Sequence, residues 1–125
     1  ASPATEVVGV ETELYPFVIA ALRGQKAKVG GETLAEGIAV KNVGTLTLEI
    51  IRARVDDVVA VSEEAIEEAV AAYLMLQKTM AEGAGAAPLA ALLADRARFQ
   101  GKRVALILAG GNIDPRLAAS IKSAR

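Results

Sequence analysis

Val58-Val59-Ala60-Val61, followed at once by Ser62-Glu63-Glu64 and then by Ile66, Ala69, Val70, Tyr73, Leu76 and Met80, is a strand that hands over to a helix within one residue. Four consecutive apolar positions, three of them β-branched, suit a strand buried on both faces. Ser62 is a good N-cap, and Glu63 and Glu64 stand in the first turn, where the helix dipole favours negative charge. The apolar positions that follow recur at helical spacing through Met80, the clearest amphipathic helix in the chain. This spacing predicts packing on a sheet through Ile66, Val70, Tyr73 and Leu76, with Glu63, Glu64, Glu67 and Glu68 on the solvated face.

Working outward, two further apolar runs read as strands: Val7-Val8-Gly9-Val10 and Val104-Ala105-Leu106-Ile107-Leu108. Helical segments lie between them. Pro16 opens one from Phe17 to Leu22, closed by Arg23-Gly24. Gln25 to Glu32, with Gly30-Gly31 at its end, is a surface loop. Residues 33–43 are ambiguous, a helical turn and then an extended piece at Ile38-Ala39-Val40. A helix runs from Gly44-Thr45 to about Arg54, with Thr45 as its cap and Leu48, Ile51 and Val55 on one face. Glu82 to Ala87 breaks the long helix, Pro88 to Asp95 resumes as a short apolar one, and Asp114-Pro115 starts the last. Short apolar strands separated by helices predict an α/β fold: a three-layer α/β/α arrangement over a small, mostly parallel sheet of about three strands. So narrow a sheet has two exposed edges, so residues 1–125 read as one α/β half-domain of something larger.

Composition narrows the function. Of 125 residues, 26 are alanine, which leaves a modest core. Two Phe, two Tyr and no Trp make a stacking platform for single-stranded nucleic acid a poor expectation. Fourteen basic against fifteen acidic residues give a net charge of −1, without the basic excess of a duplex binder. With no Cys and no His there is no disulfide framework, no Ser-His-Asp chemistry and no thiolate or imidazole metal site. No apolar run approaches membrane-spanning length, so the expectations are no membrane, no nucleic acid and a cytoplasmic location. The chain begins Ala1-Ser2-Pro3 without methionine and reads as processed or cut from a longer one.

In open α/β sheets ligands collect where strands end and helices begin. Three segments fall there: Glu11 to Pro16, Ser62 with its neighbours, and Ala109 to Asp114. Gly110-Gly111 lets backbone amides approach an anion or a cofactor ring, or is simply a tight turn. Gly83-Ala84-Gly85-Ala86-Ala87-Pro88 imitates a dinucleotide fingerprint but follows a helix and ends in proline, so that reading is rejected. Glu36 and Glu82 either face solvent or point into a site as a carboxylate pair. Asp56-Asp57 punctuates the approach to the second strand. The six lysines show no apolar burial pattern that would suit one to Schiff-base work.

Four segments in order, residues 33–40 (TLAEGIAV), 55–59 (VDDVV), 82–86 (EGAGA) and 109–114 (AGGNID), resemble those of threonine dehydratases. These belong with serine racemases to the fold-type II pyridoxal-phosphate enzymes. Val8-Gly9-Val10-Glu11 matches the strand after that family's phosphate-binding glycine loop. The resemblance spans nearly the whole chain and only the later part of the large catalytic domain. It implies that the cofactor lysine, the substrate loop and the phosphate loop lie elsewhere, so no catalytic residue is expected here. It further implies cofactor-binding positions: Gly37 beside pyridoxal phosphate, Glu82 near it, and Ala109, Gly110 and Gly111 at its ring. Family members often carry serine where Ala109 stands, and alanine cannot reach the pyridine nitrogen. Serine racemase-like members hold a divalent cation through a glutamate at Glu11 and a second acid soon after. Phe17 occupies that second place, so no metal is expected.

The leading expectation is part of a threonine or serine ammonia-lyase, which in its intact form makes a 2-oxo acid and ammonia. This chain alone should be inactive and bind no cofactor. Its expected partners are the amino-terminal remainder of the enzyme or a second copy, joined as a homo-dimer through Val7 to Val10. The alternatives are a non-enzymatic, self-associating α/β module and a small-anion binder using Gly110-Gly111.

Overall fold

A computed structural model describes residues 4–123 of the chain. Its sheet consists of β1 (Val8–Thr12) and β2 (Asp57–Val61), parallel and in register from Val8 opposite Asp57 to Thr12 opposite Val61. Between them lie α1 (Phe17–Leu22), a 3-10 turn at Glu36–Ile38 and α2 (Thr45–Arg54). After β2 come α3 (Glu63–Leu76), α4 (Gly83–Ala94), α5 (Arg96–Phe99) and α6 (Pro115–Ser123).

Local chemistry explains most of these boundaries. The Ser62 hydroxyl accepts from the Ala65 amide at 3.2 Å and caps α3. Asp114 accepts from the Arg116 amide at 2.7 Å and opens α6 behind Pro115. Glu11 starts α1 from outside, its carboxylate taking the amides of Val18 at 2.7 Å and Ile19 at 2.9 Å. On α2 the expected face holds: Leu48 and Ile51 are half-buried while Leu46 and Ile50 are exposed. Thr45 is not its cap. Gly44 holds that position and no side chain bonds there.

Three expectations are corrected. Residues 104–108 form no strand, so the sheet has two strands among the described residues rather than about three. An apolar run favours an extended chain, but a strand also needs a neighbour to bond, and here none pairs with it. Gly83 to Ala87 is not a break, because these residues form the first turns of α4. Their small side chains let the helix approach neighbouring backbone closely, and that packing outweighs glycine's poor propensity. The long helix ends at Leu76, with Lys78 in a positive-φ conformation, so Leu76 and Met80 are exposed and leave the buried stripe.

The layering is set by strand alternation. Val59 and Val61 turn towards α4 and join the core of Ile66, Ala69, Val70, Ala86, Ala87 and Ala90. Val58 and Ala60 fall on the other face, beside Ile19 and Ala20 of α1. α3 packs chiefly against α4, with α6 behind it, and α4 itself lies on both strands. The predicted contact of α3 with the sheet is thus relayed through α4. At the far end Arg98 reaches Asp57 and Glu6, each at 2.7 Å, and Lys102 reaches Glu6 at 3.2 Å. Bonds from Arg98 first, then Lys102, hold the Glu6 carboxyl below its ordinary range. The cluster fixes α4 antiparallel to the strands, so its amino end meets the carboxyl ends of β1 and β2. No helix among the described residues is long and apolar enough to cross a membrane.

Candidate functional site

The carboxyl ends of both strands and the amino ends of α3, α4 and α6 converge on one open depression of about 1070 Å³. Glu63 organises its upper rim. Its Oε1 accepts from the hydroxyls of Thr12 at 2.7 Å and Thr33 at 2.8 Å, and its Oε2 from the Leu34 amide at 2.8 Å. Thr12 is fully buried, so an unpartnered hydroxyl there would be costly. One carboxylate therefore joins the end of β1 to the segment leading to Gly37. The expectation of a solvated Glu63 is wrong. A signal for it existed: a first-turn side chain directly after a buried strand leans back towards the strand ends. Glu64 and Glu68 are exposed as expected, and Glu67 lines the depression.

Beneath this rim the glycines set the spacing. A Cβ on Gly83 would overlap the Leu34 carbonyl, so α4 and the 33–38 segment touch backbone to backbone. A Cβ on Gly37 would lie 3.0 Å from Ala84 Cβ and 3.3 Å from Glu82 Oε1. Gly110, at φ 131°, occupies a conformation that other residues rarely adopt, and its Cβ would fall 2.6 Å from Glu82 Oε1. The Glu82 amide donates to the Gly110 carbonyl at 3.2 Å, and Glu82 Oε2 accepts from the Asn112 amide, also at 3.2 Å. Glu82 is thus wedged between Gly37 and Gly110, two positions 73 residues apart in sequence (110 − 37).

Of the residues singled out from sequence, Gly37 and Gly110 each lie against the Glu82 carboxylate, with Ala109 and Gly111 exposed on either side of Gly110. Glu36 and Glu82 line the same depression, so the two carboxylates do share a site. Glu32, Glu63, Glu67 and Asp114 line it too, and none of the described residues lining it is basic. That wall opposes the anion-binding alternative for Gly110-Gly111, since the Glu82 carboxylate lies against Gly110 and already takes the Asn112 amide of the same turn. The Gly83 to Pro88 run follows a helix, not a strand, in keeping with rejection of a dinucleotide motif. Glu11 is buried and spends both oxygens on α1, beside a half-buried Phe17.

Comparison with known proteins places this geometry. The profile of the family described as "Pyridoxal-phosphate dependent enzyme" matches residues 1–110. L-threonine ammonia-lyase of Thermotoga maritima is 48% identical over 115 residues, covering 90% of this chain and 28% of the relative. The catabolic L-threonine dehydratase of Escherichia coli (strain K12) is 37% identical over 117 residues, with 90% of this chain and 36% of that protein covered. Among solved structures, a threonine deaminase from T.th. superposes with a TM-score of 0.81 at 38% identity, over 90% of this chain and 37% of that one. A maize serine racemase gives a TM-score of 0.80 at 27% identity, over 99% and 40%. The chain spans about a third of the length of the curated relatives it matches.

Proposed function

The chain belongs to the pyridoxal-phosphate-dependent enzyme family, and from that premise we propose that it forms one wall of a threonine or serine ammonia-lyase site. In this reading it corresponds to the later part of the large catalytic domain, working in the cytoplasm on L-threonine or L-serine. The observation that carries it is the wedge of Glu82 between Gly37 and Gly110, which brings together residues from three of the family-like segments.

The wall suits one part of the cofactor and not another. A Cβ on Gly37, Gly110 or Gly111 would meet Ala84, Glu82 or the Met80 carbonyl, so these glycines let the protein pack tightly behind a bare backbone surface, which suits the flat face of a pyridine ring. Glu82 fixes the Gly110 to Asn112 turn through its two backbone bonds. Ala109 presents a methyl group and neither donates nor accepts a hydrogen bond to a ring nitrogen. The acidic lining would repel a phosphate group, which carries nearly two negative charges at neutral pH. We therefore assign Gly37, Glu82, Ala109, Gly110 and Gly111 to the ring and leave the phosphate and the imine-forming lysine to residues outside this wall. When bound, the cofactor draws electron density from the substrate α-carbon, so that the β-hydroxyl can leave. This chain's share is to hold a flat, acidic surface beside that carbon.

A wall with no lysine among the described residues that line it should not turn over by itself. With added pyridoxal phosphate and L-threonine, the isolated chain is expected to release 2-oxobutanoate at the rate of a protein-free blank. Release clearly above that blank would show that the reacting groups lie within these residues and would overturn the assignment.

A further inference from the structure

We propose that Glu63 is a positioning residue of the site, which sets where Gly37 stands beside the cofactor ring by holding the strap of residues 31–37. The inference rests on this chain being the wall proposed above. Glu63 follows the Ser62 cap directly, so the end of β2 fixes its place. From there it reaches both the end of β1 and the strap, and the bonds have a fixed direction. The Leu14 amide donates to the Thr12 hydroxyl oxygen at 3.3 Å, and the Ala35 amide to that of Thr33 at 3.0 Å. Each hydroxyl proton is left to point at Glu63 Oε1, while the Leu34 amide points at Oε2. All three groups facing the carboxylate are therefore donors. Among side chains of this length only a carboxylate accepts at both ends and donates from neither.

The strap is held at three points. The Tyr15 hydroxyl donates to the Gly31 carbonyl at 2.9 Å, Glu63 takes Thr33 and Leu34, and Leu34 backs onto Gly83 without room for a side chain. Gly37 follows three residues later, packed against Ala84 and Glu82. Glu63 thus decides how far the strap is drawn from the amino end of α4, and with it the position of the bare backbone at Gly37. Displacing a site by about 1 Å can cost on the order of a hundredfold in rate, because orientation is lost. Glutamine in place of Glu63 keeps the length but brings an amide nitrogen. With its oxygen towards the hydroxyls, its nitrogen meets the Leu34 N–H; turned over, it meets the two hydroxyl protons. Either way donors oppose donors, and the strap shifts.

A chimera carrying this chain in place of the matching part of the Thermotoga maritima L-threonine ammonia-lyase tests this in a holoenzyme. Turnover of L-threonine is divided by bound pyridoxal phosphate, read from its absorption. Glu63→Gln should lower kcat per bound cofactor at least about tenfold and shift the absorption maximum, with far-UV circular dichroism unchanged. A loss of cofactor content with unchanged turnover per bound cofactor is the mark of a merely structural residue and would overturn the proposal. Thr33→Val removes one donor and should lose turnover in the same way, whereas Thr33→Ser should retain it. That pair carries the test should Glu63→Gln fail to fold, and equal turnover in the two would overturn the proposal. In the isolated chain Glu63→Gln should speed amide exchange at Leu34, Ala35 and Ile38 by more than at Ala90; equal acceleration would overturn it too. An unmutated chimera that holds the cofactor and releases no 2-oxobutanoate would defeat the wall itself and this inference with it. An active chimera indifferent to Glu63→Gln would defeat the inference alone.

Discussion

Ile66→Ala is expected to lower the stability of the isolated chain by about 2–5 kcal/mol. Ile66 is fully buried in the core, whose other α3 and α4 members are Ala69, Val70, Ala71, Ala86, Ala87, Ala90 and Ala91. The alanines sit on helical backbones held by their own hydrogen bonds and have no long side chains to swing into the space. The cavity left by three missing carbons would therefore stay largely open, which places the cost well inside that range. A domain of this size has only about 5–15 kcal/mol in total, so a urea titration should show a clear fall in midpoint. Glu67→Ala, one residue along on the rim of the depression, should shift stability by no more than about 0.5 kcal/mol. Equal shifts for the two variants would mean that α3 presents a different face to α4.

Gly83→Ala is the second large effect, and it acts through the site. The new methyl would occupy the space of the Leu34 carbonyl, a backbone group that cannot rotate away. Either α4 backs off or the 33–38 segment lifts. Overpacking of this kind costs about 1–3 kcal/mol, occasionally more. Lifting the segment also strains the bonds that Glu63 makes to Thr33 and Leu34. The expected result is a stability loss together with faster amide exchange at Leu34 and Ala35. Gly44→Ala is the control, with its nearest neighbour at 3.6 Å; as an N-cap, where glycine is preferred to alanine, it should cost about 1 kcal/mol or less and leave exchange at Leu34 and Ala35 unchanged. Unchanged exchange at Leu34 in Gly83→Ala would show that the two backbones are not in contact.

What could be read in the sequence follows from where the deciding interactions lie. The Ser62 cap, the Asp114-Pro115 start, the Arg23-Gly24 stop and the half-buried face of α2 depend on residues within a turn of each other, and each stands where local rules put it. Residues 104–108 have strand chemistry, but a strand is a relation between two segments, and the pattern of one cannot supply the other. Gly83 to Ala87 looks like punctuation because propensity counts glycine against a helix, whereas close contact with Leu34 and Gly110 requires it there. The site shows the same division. Gly37, Glu82 and Gly110 could be named from family-like segments, yet only the fold brings them together. Glu63, hidden in an acidic run, gains its role from Thr12 and Thr33, which lie 51 and 30 residues away.

The most direct measurement replaces the matching 115 residues of the Thermotoga maritima L-threonine ammonia-lyase with their counterparts from this chain. The chimera would be purified with pyridoxal phosphate and assayed for 2-oxobutanoate from L-threonine. If these residues are a wall of that site, the chimera retains the cofactor's absorption band and releases 2-oxobutanoate well above the blank. A folded chimera that keeps the cofactor but releases none, while the parent enzyme is active in the same assay, would contradict it.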